Sequence, residues 1–123
     1  MKLKVKRVYD EPDEQDGLRI LVDRLWPRGL TKGEVAADLW LRELAPSEGL
    51  RKWFSHDADK WGEFMCRYFG ELDGRQESVR LILTSALKGP VTLLYGSKDD
   101  LHNNAVALRE YILSRKTQLK KAA

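Results

Sequence analysis

The chain has 123 residues, 42% hydrophobic and 33% charged, which is the size and balance of one ordinary globular domain and excludes a disordered or membrane-spanning chain. Lysine and arginine number 22 against 19 aspartates and glutamates, a net charge of +3 that is too small to point to nucleic acid by itself. One cysteine excludes an internal disulfide and a cysteine-rich zinc centre, and His56 and His102 match no metal-ligand spacing, so no metal and no cofactor is expected.

In chain order, MKLKVKRVYD alternates charged and apolar residues, which predicts a half-exposed edge strand carrying Leu3, Val5 and Val8. It has no apolar h-region of a signal peptide, and no later run approaches a membrane span. With a single free thiol, the expected compartment is the cytoplasm. Residues 10–16 (DEPDEQD) carry five acids and end at Gly17, the composition of a solvated loop. Those acids face the four positive charges of residues 1–9, and mutual neutralisation is favoured over a polyanion-binding arm. LRILVDRL at 18–25 predicts a central strand stopped by Pro27 and Gly29.

Thr31 followed by Glu34 forms a capping box for a short helix over 32–37. DLWLREL at 38–44 suits neither period and is read as a short strand. Ser47 caps a helix over 48–54, and Asp57 caps one over 58–72 whose Trp61, Phe64, Met65, Tyr68 and Leu72 share a face. A third helix around Val79 to Leu87 stops at Gly89-Pro90, and VTLLY at 91–95 reads as a second buried strand. Leu101, Ala105, Leu108 and Ile112 mark the inner face of a last helix, followed by a basic tail over 115–123 that is expected to fray. The expectation is a single α/β domain over 1–114, three-layered, with a small, mostly parallel sheet flanked by helices.

Ligands of open α/β sheets gather beyond the carboxyl ends of strands. Two clusters stand there. In DRLWPRG (23–29), Asp23 and Arg24 end an apolar strand, Trp26 is placed to line a pocket, and Arg28 sits in a stiff loop suited to forked recognition of phosphate or carboxylate. In GSKDDLHNN (96–104), Lys98 adds charge beside a helix start, Asp99 or Asp100 is an ordinary N-cap, and His102 lies in the first turn. A third stretch, from Ala45 to Asp57, holds Arg51 and the His56-Asp57 pair. Ser47 there is a cap rather than a nucleophile, because the G-x-S-x-G elbow is absent. Cys66 is a small filler or partly exposed thiol, and Trp53 and Trp61 belong to the core.

The segments DRLWPRG (23–29), APS (45–47), LRKWFSH (50–56) and TLLYGSKDDLHNNA (92–105), in this order and spacing, resemble the YeaO-like branch of the domain-of-unknown-function 488 family over residues 4–113. The resemblance implies a small bacterial-type α/β domain and no particular reaction. It draws attention to polar positions, Asn103 among them, that core packing alone does not demand.

Three functions follow. The first is a site for a small anionic ligand such as a nucleotide or phosphorylated metabolite, with Arg24, Trp26, Arg28, Arg51, Lys98 and Asn103 binding and Asp23, His56, Asp99 or His102 moving protons if chemistry occurs. The second is a structural or partner-binding domain whose charges are salt-bridge networks. The third, a nucleic-acid module using the basic ends, is weakened by the acidic loop beside the first strand.

Overall fold

The computed structural model describes residues 1–121. Four strands, β1 (Leu3–Arg7), β2 (Leu18–Leu21), β3 (Leu39–Trp40) and β4 (Val91–Tyr95), form one sheet in the order β1-β4-β2-β3. Every pair is parallel, with Leu3 and Leu18 both opposite Val91. Crossovers between parallel strands need long connections, and four of the six α-helices among the described residues lie in them, while the last two follow β4. The helices are α1 (Lys32–Val35), α2 (Glu48–Phe54), α3 (Trp61–Leu72), α4 (Gln76–Lys88), α5 (Asn104–Ser114) and α6 (Lys116–Lys121). The sheet therefore has the α/β architecture the sequence predicts.

The layers are unequal. Alternation along the strands puts Leu3, Ile20, Val22, Val91, Leu93 and Tyr95 on one face, where they pack with Leu50, Phe54, Phe64, Tyr68 and buried residues of α4, α5 and α6. The other face holds a much smaller cluster of Val8, Leu21, Val35 and Leu94, covered by Leu30, Ala37 and Trp40. That thin cover is completed by charge. Arg19, buried on the second face, bonds the Asp16 carboxylate and the carbonyls of Val35 and Ala36, closing the C-terminal end of α1. Lys6 adds a second cation at 3.1 Å from Asp16 and also donates to the Glu11 carbonyl, while Lys4 donates to the carbonyl of Gln15. One ion pair, Lys6–Asp16, and two lysine-to-carbonyl bonds thus join the basic first strand to the acidic loop.

Element ends depart from the sequence reading where backbone partners run out. β2 stops at Leu21, with one further ladder bond from the Val22 N–H to the Leu94 carbonyl, after which residues 23–26 make no backbone bond to β4 among the described residues. The strand expected over 38–44 shrinks to Leu39–Trp40, after which Arg42–Leu44 wind into a 3₁₀ turn. The helix expected from residue 58 opens with a 3₁₀ turn over Ala58–Lys60 before α3. Of the basic tail expected to fray, Lys116–Lys121 form α6 with Leu119 buried, and residues 122 and 123 lie outside the described residues. Trp53 and Trp61 are partly buried against the main core, and Cys66 is exposed.

Candidate functional site

The parallel register brings the carboxyl ends of β2 and β4 side by side, and a cleft of about 290 Å³ opens just beyond them. Asp23 follows β2 and Gly96 follows β4. The Gly96 N–H donates to Asp23 Oδ2 at 2.8 Å, fastening the two strand ends together. A methyl group on residue 96 would stand 3.2 Å from that oxygen, so glycine gives the carboxylate its room. Asp23 lies half-buried. Burial pushes its carboxyl above the usual range, and the Gly96 N–H and the Asn104 side chain pull it partly back.

One wall is the segment from Ala45 to Ser47. It is pinned from both sides: Arg24 Nη2 donates to the Pro46 carbonyl at 2.9 Å, and Glu71 on α3 accepts from the Ser47 N–H at 2.7 Å and from its hydroxyl at 2.6 Å. The Ser47 hydroxyl also accepts from the Leu50 N–H, so it caps α2 as its sequence position predicts. Glu71→Ala is expected to release this wall and to cost about 1–3 kcal/mol, the loss from leaving half-buried donors unpaired. A urea titration showing an unchanged midpoint would contradict it.

Phe54 and Phe64, with ring centroids 4.4 Å apart, form the apolar floor. Beyond α2 the chain takes two successive left-handed residues, Ser55 at φ +45° and His56 at φ +58°. Neither is a glycine, and each costs about 1–2 kcal/mol against ordinary backbone. The turn leaves His56 on the cleft. Arg51, exposed on α2, also lines it, and its contact with Glu48 at 3.7 Å is loose and solvated.

On the far side the helix starts later than the sequence suggests. α5 begins at Asn104, and its N-cap is Asn103, whose Oδ1 accepts from the Val106 N–H while its Nδ2 donates to the Asp99 carbonyl. Asp99 and Asp100 are therefore not the cap, and His102 precedes the helix instead of occupying its first turn. Asn103 borders the cleft, but its side-chain groups are spent on capping. Asp99 accepts from the N–H groups of Leu101 and His102 and from His102 Nδ1 at 3.0 Å. The Leu101 N–H and then the His102 ring hold its carboxyl below the ordinary range. This contact fixes the His102 ring, which stands edge-on to Trp61 at 5.3 Å and leaves Nε2 without a protein partner among the described residues.

Of the ten residues singled out in the sequence, Asp23, Arg24, Arg51, His56, His102 and Asn103 border this cleft. Trp26, Arg28, Lys98 and Asp99 do not. The Trp26 indole donates to the Leu30 carbonyl and packs edge-on to Trp40, on the side of the small core. The Tyr9 hydroxyl donates to the Arg28 carbonyl at 2.9 Å, and Arg28 is exposed outside the cleft. Lys98 lines a separate open basin with Lys4, Lys6 and Arg7 and the acids Asp10, Asp16 and Asp100. The two loops do meet, but through Asp23 and Gly96 instead of through the cations of Arg28 and Lys98. Phe54, Phe64, Glu71 and Asn104 were not singled out as site residues. The two phenylalanines carry only a core signal, and Glu71 shows no local pattern at all.

Fold and site together define a small α/β protein with a polar cleft over an apolar floor, at the carboxyl ends of parallel strands. The profile described as "Inactive DUF488-N3 subclade" matches residues 2–123, and the chain belongs to that family. It is 40% identical over 114 residues to the uncharacterised protein YeaO of Escherichia coli (strain K12), covering 93% of this chain and 99% of that one. It is also 42% identical over 71 residues to the uncharacterised protein Rv3073c of Mycobacterium tuberculosis (strain H37Rv), covering 58% of this chain and 60% of the relative. No solved structure matches significantly. No helix among the described residues is long and apolar enough to cross a membrane.

Proposed function

We propose that the cleft binds a small anionic molecule, of mononucleotide or phosphorylated-metabolite size, in the cytoplasm and without turning it over. The observation that carries this is the gathering of Arg24, Arg51, His56 and His102 around one apolar-floored hollow. Such a mixture of a few polar groups over an apolar lining is what small-molecule sites present. A volume of about 290 Å³ lies at the lower end for ligand pockets and suits one compact ligand, not a polymer. Binding without chemistry is supported by the family's description as inactive and by the engagement of Ser47 and Asp99 in capping and turn bonds. Nucleic acid is disfavoured because Lys4 and Lys6 are already engaged by the acidic loop.

The test is a thermal-shift and calorimetric screen of AMP, GMP and glucose 6-phosphate on the wild type, Arg51→Ala and Arg28→Ala. A ligand of the folded state raises the melting temperature with concentration. Arg51→Ala is expected to weaken binding roughly tenfold or more, the size of a lost charge-assisted bond, whereas Arg28→Ala leaves it unchanged. Equal affinities for all three proteins would remove the cleft as the binding site. A competing structural reading draws on the Arg24 bond to Pro46. It is favoured if Arg24→Ala lowers the melting temperature and no anion shifts the wild type.

A further inference from the structure

Resting on that anion-binding reading, the composition of the cleft restricts the ligand further. Asp23 is an acid set into a hollow whose fixed charges are otherwise Arg24 and Arg51, and of the cleft's side chains it is the one that repels an anion. Its carboxylate has about four acceptor positions. The Gly96 N–H occupies one at 2.8 Å, the Asn104 amide, which donates to the Val22 carbonyl, also acts on the group, and Asp23 lines the cleft. No arginine or lysine forms an ion pair with Asp23 among the described residues. A half-buried carboxylate left short of donors is costly, and an incoming hydrogen-bond donor recovers that cost.

The neighbours set the rest. Phe54 and Phe64, both buried and with their rings tilted 33° to each other, give the cleft an apolar floor, and Arg24 and Arg51 stand exposed at the rim. A ligand that places its negative group near the arginines must present something other than negative charge to Asp23. We infer that Asp23 is a specificity residue, and that the ligand is two-ended: an anionic group joined through a compact apolar spacer to an amine or hydroxyl that donates to the Asp23 carboxylate. Inorganic phosphate and anions without a donor are discriminated against, because they meet the carboxylate with nothing to give it.

A matched pair of probes, 4-aminophenyl phosphate and phenyl phosphate, differs in one donor group and tests this by calorimetry. The wild type is expected to favour the amino compound by roughly tenfold, as for a neutral donor meeting a charged acceptor. Asp23→Asn retains an oxygen for the Gly96 N–H but turns an amide donor toward the cleft. The variant is expected to lose the preference and to bind phenyl phosphate as well as the wild type or better. Gly96→Ala, which crowds the same carboxylate oxygen, is expected to reduce the preference without touching the rim arginines. A melting temperature for Asp23→Asn at or above the wild type's shows that the fold is kept. If phenyl phosphate binds and the amino group adds nothing, or if the preference survives Asp23→Asn, the role of Asp23 is overturned while anion binding stands. If neither probe binds, both readings fall together.

Discussion

Arg19→Met is expected to destabilise the fold by about 3–5 kcal/mol, the range for removing one partner from a buried ion pair. Arg19 and Asp16 are each about 5% exposed, and the guanidinium spans from the Asp16 carboxylate to the last carbonyls of α1. Without it, the acid keeps only Lys6 and the Asp13 N–H, and the Val35 and Ala36 carbonyls lose their donor. Replacing both members with apolar residues of similar volume should recover much of the loss, since a well-packed apolar pair is often as stable as an ionic one. Urea midpoints for the two single variants and the double variant check this.

The same group sets an acid limit. Burial alone would raise the Asp16 carboxyl, but hydrogen bonds from the Asp13 N–H, Lys6 and Arg19 outweigh it and hold it below its ordinary value of 3.8. A depressed acid stabilises the fold above its unfolded value, and that contribution is lost as pH falls through the folded one. Wild-type stability should therefore drop below about pH 4, and Asp16→Asn should show a lower plateau at neutral pH and a shallower acid fall. Identical acid profiles would assign the drop to other carboxyls.

Gly17→Ala is the second large effect, expected at about 2–5 kcal/mol from backbone strain and overpacking combined. Gly17 holds φ +66°, and a Cβ there would stand 2.1 Å from the Pro90 carbonyl oxygen and 2.8 Å from its Cβ. That carbonyl accepts the Leu18 N–H at 3.0 Å, the first bond joining β2 to β4. The neighbour is backbone and cannot rotate aside, so the register of the central strand pair would have to move. Gly29→Ala makes a control: φ is also positive, at +81°, but nothing lies within 4 Å of the added carbon. Its cost should stay near the 1–2 kcal/mol of left-handed backbone. Comparable losses at both positions would mean the contact with Pro90 is soft.

Much of the fold was legible because its signals are local. The capping box of Thr31 and Glu34, the Ser47 cap, the five-residue apolar strand at 91–95 and the aromatic face of α3 each need only neighbours in sequence. The opposite case is the start of α5. Asp99, Asp100 and Asn103 are all good caps by composition, and the choice fell to Asn103 because Asp99 is drawn into a turn with Leu101 and His102. β3 is short for a similar reason: two ladder positions beside β2 are all the edge it can use before the chain turns.

The site divides along the same line. From composition and order alone came the parallel α/β plan, the opposed charge blocks at the start of the chain, and the polar residues at strand ends where a ligand would sit. Which of those residues share one cleft was decided by tertiary structure. Asp23 meets Gly96 across 73 positions of chain, Glu71 reaches Ser47 across 24, and Arg28 and Lys98 do not line the cleft despite their neighbours' convergence. The physical reason is that charge and residue type are properties of one position, whereas a hollow exists only between segments that packing has brought together. Side chains one or two residues apart on a strand or turn can therefore open onto different surfaces.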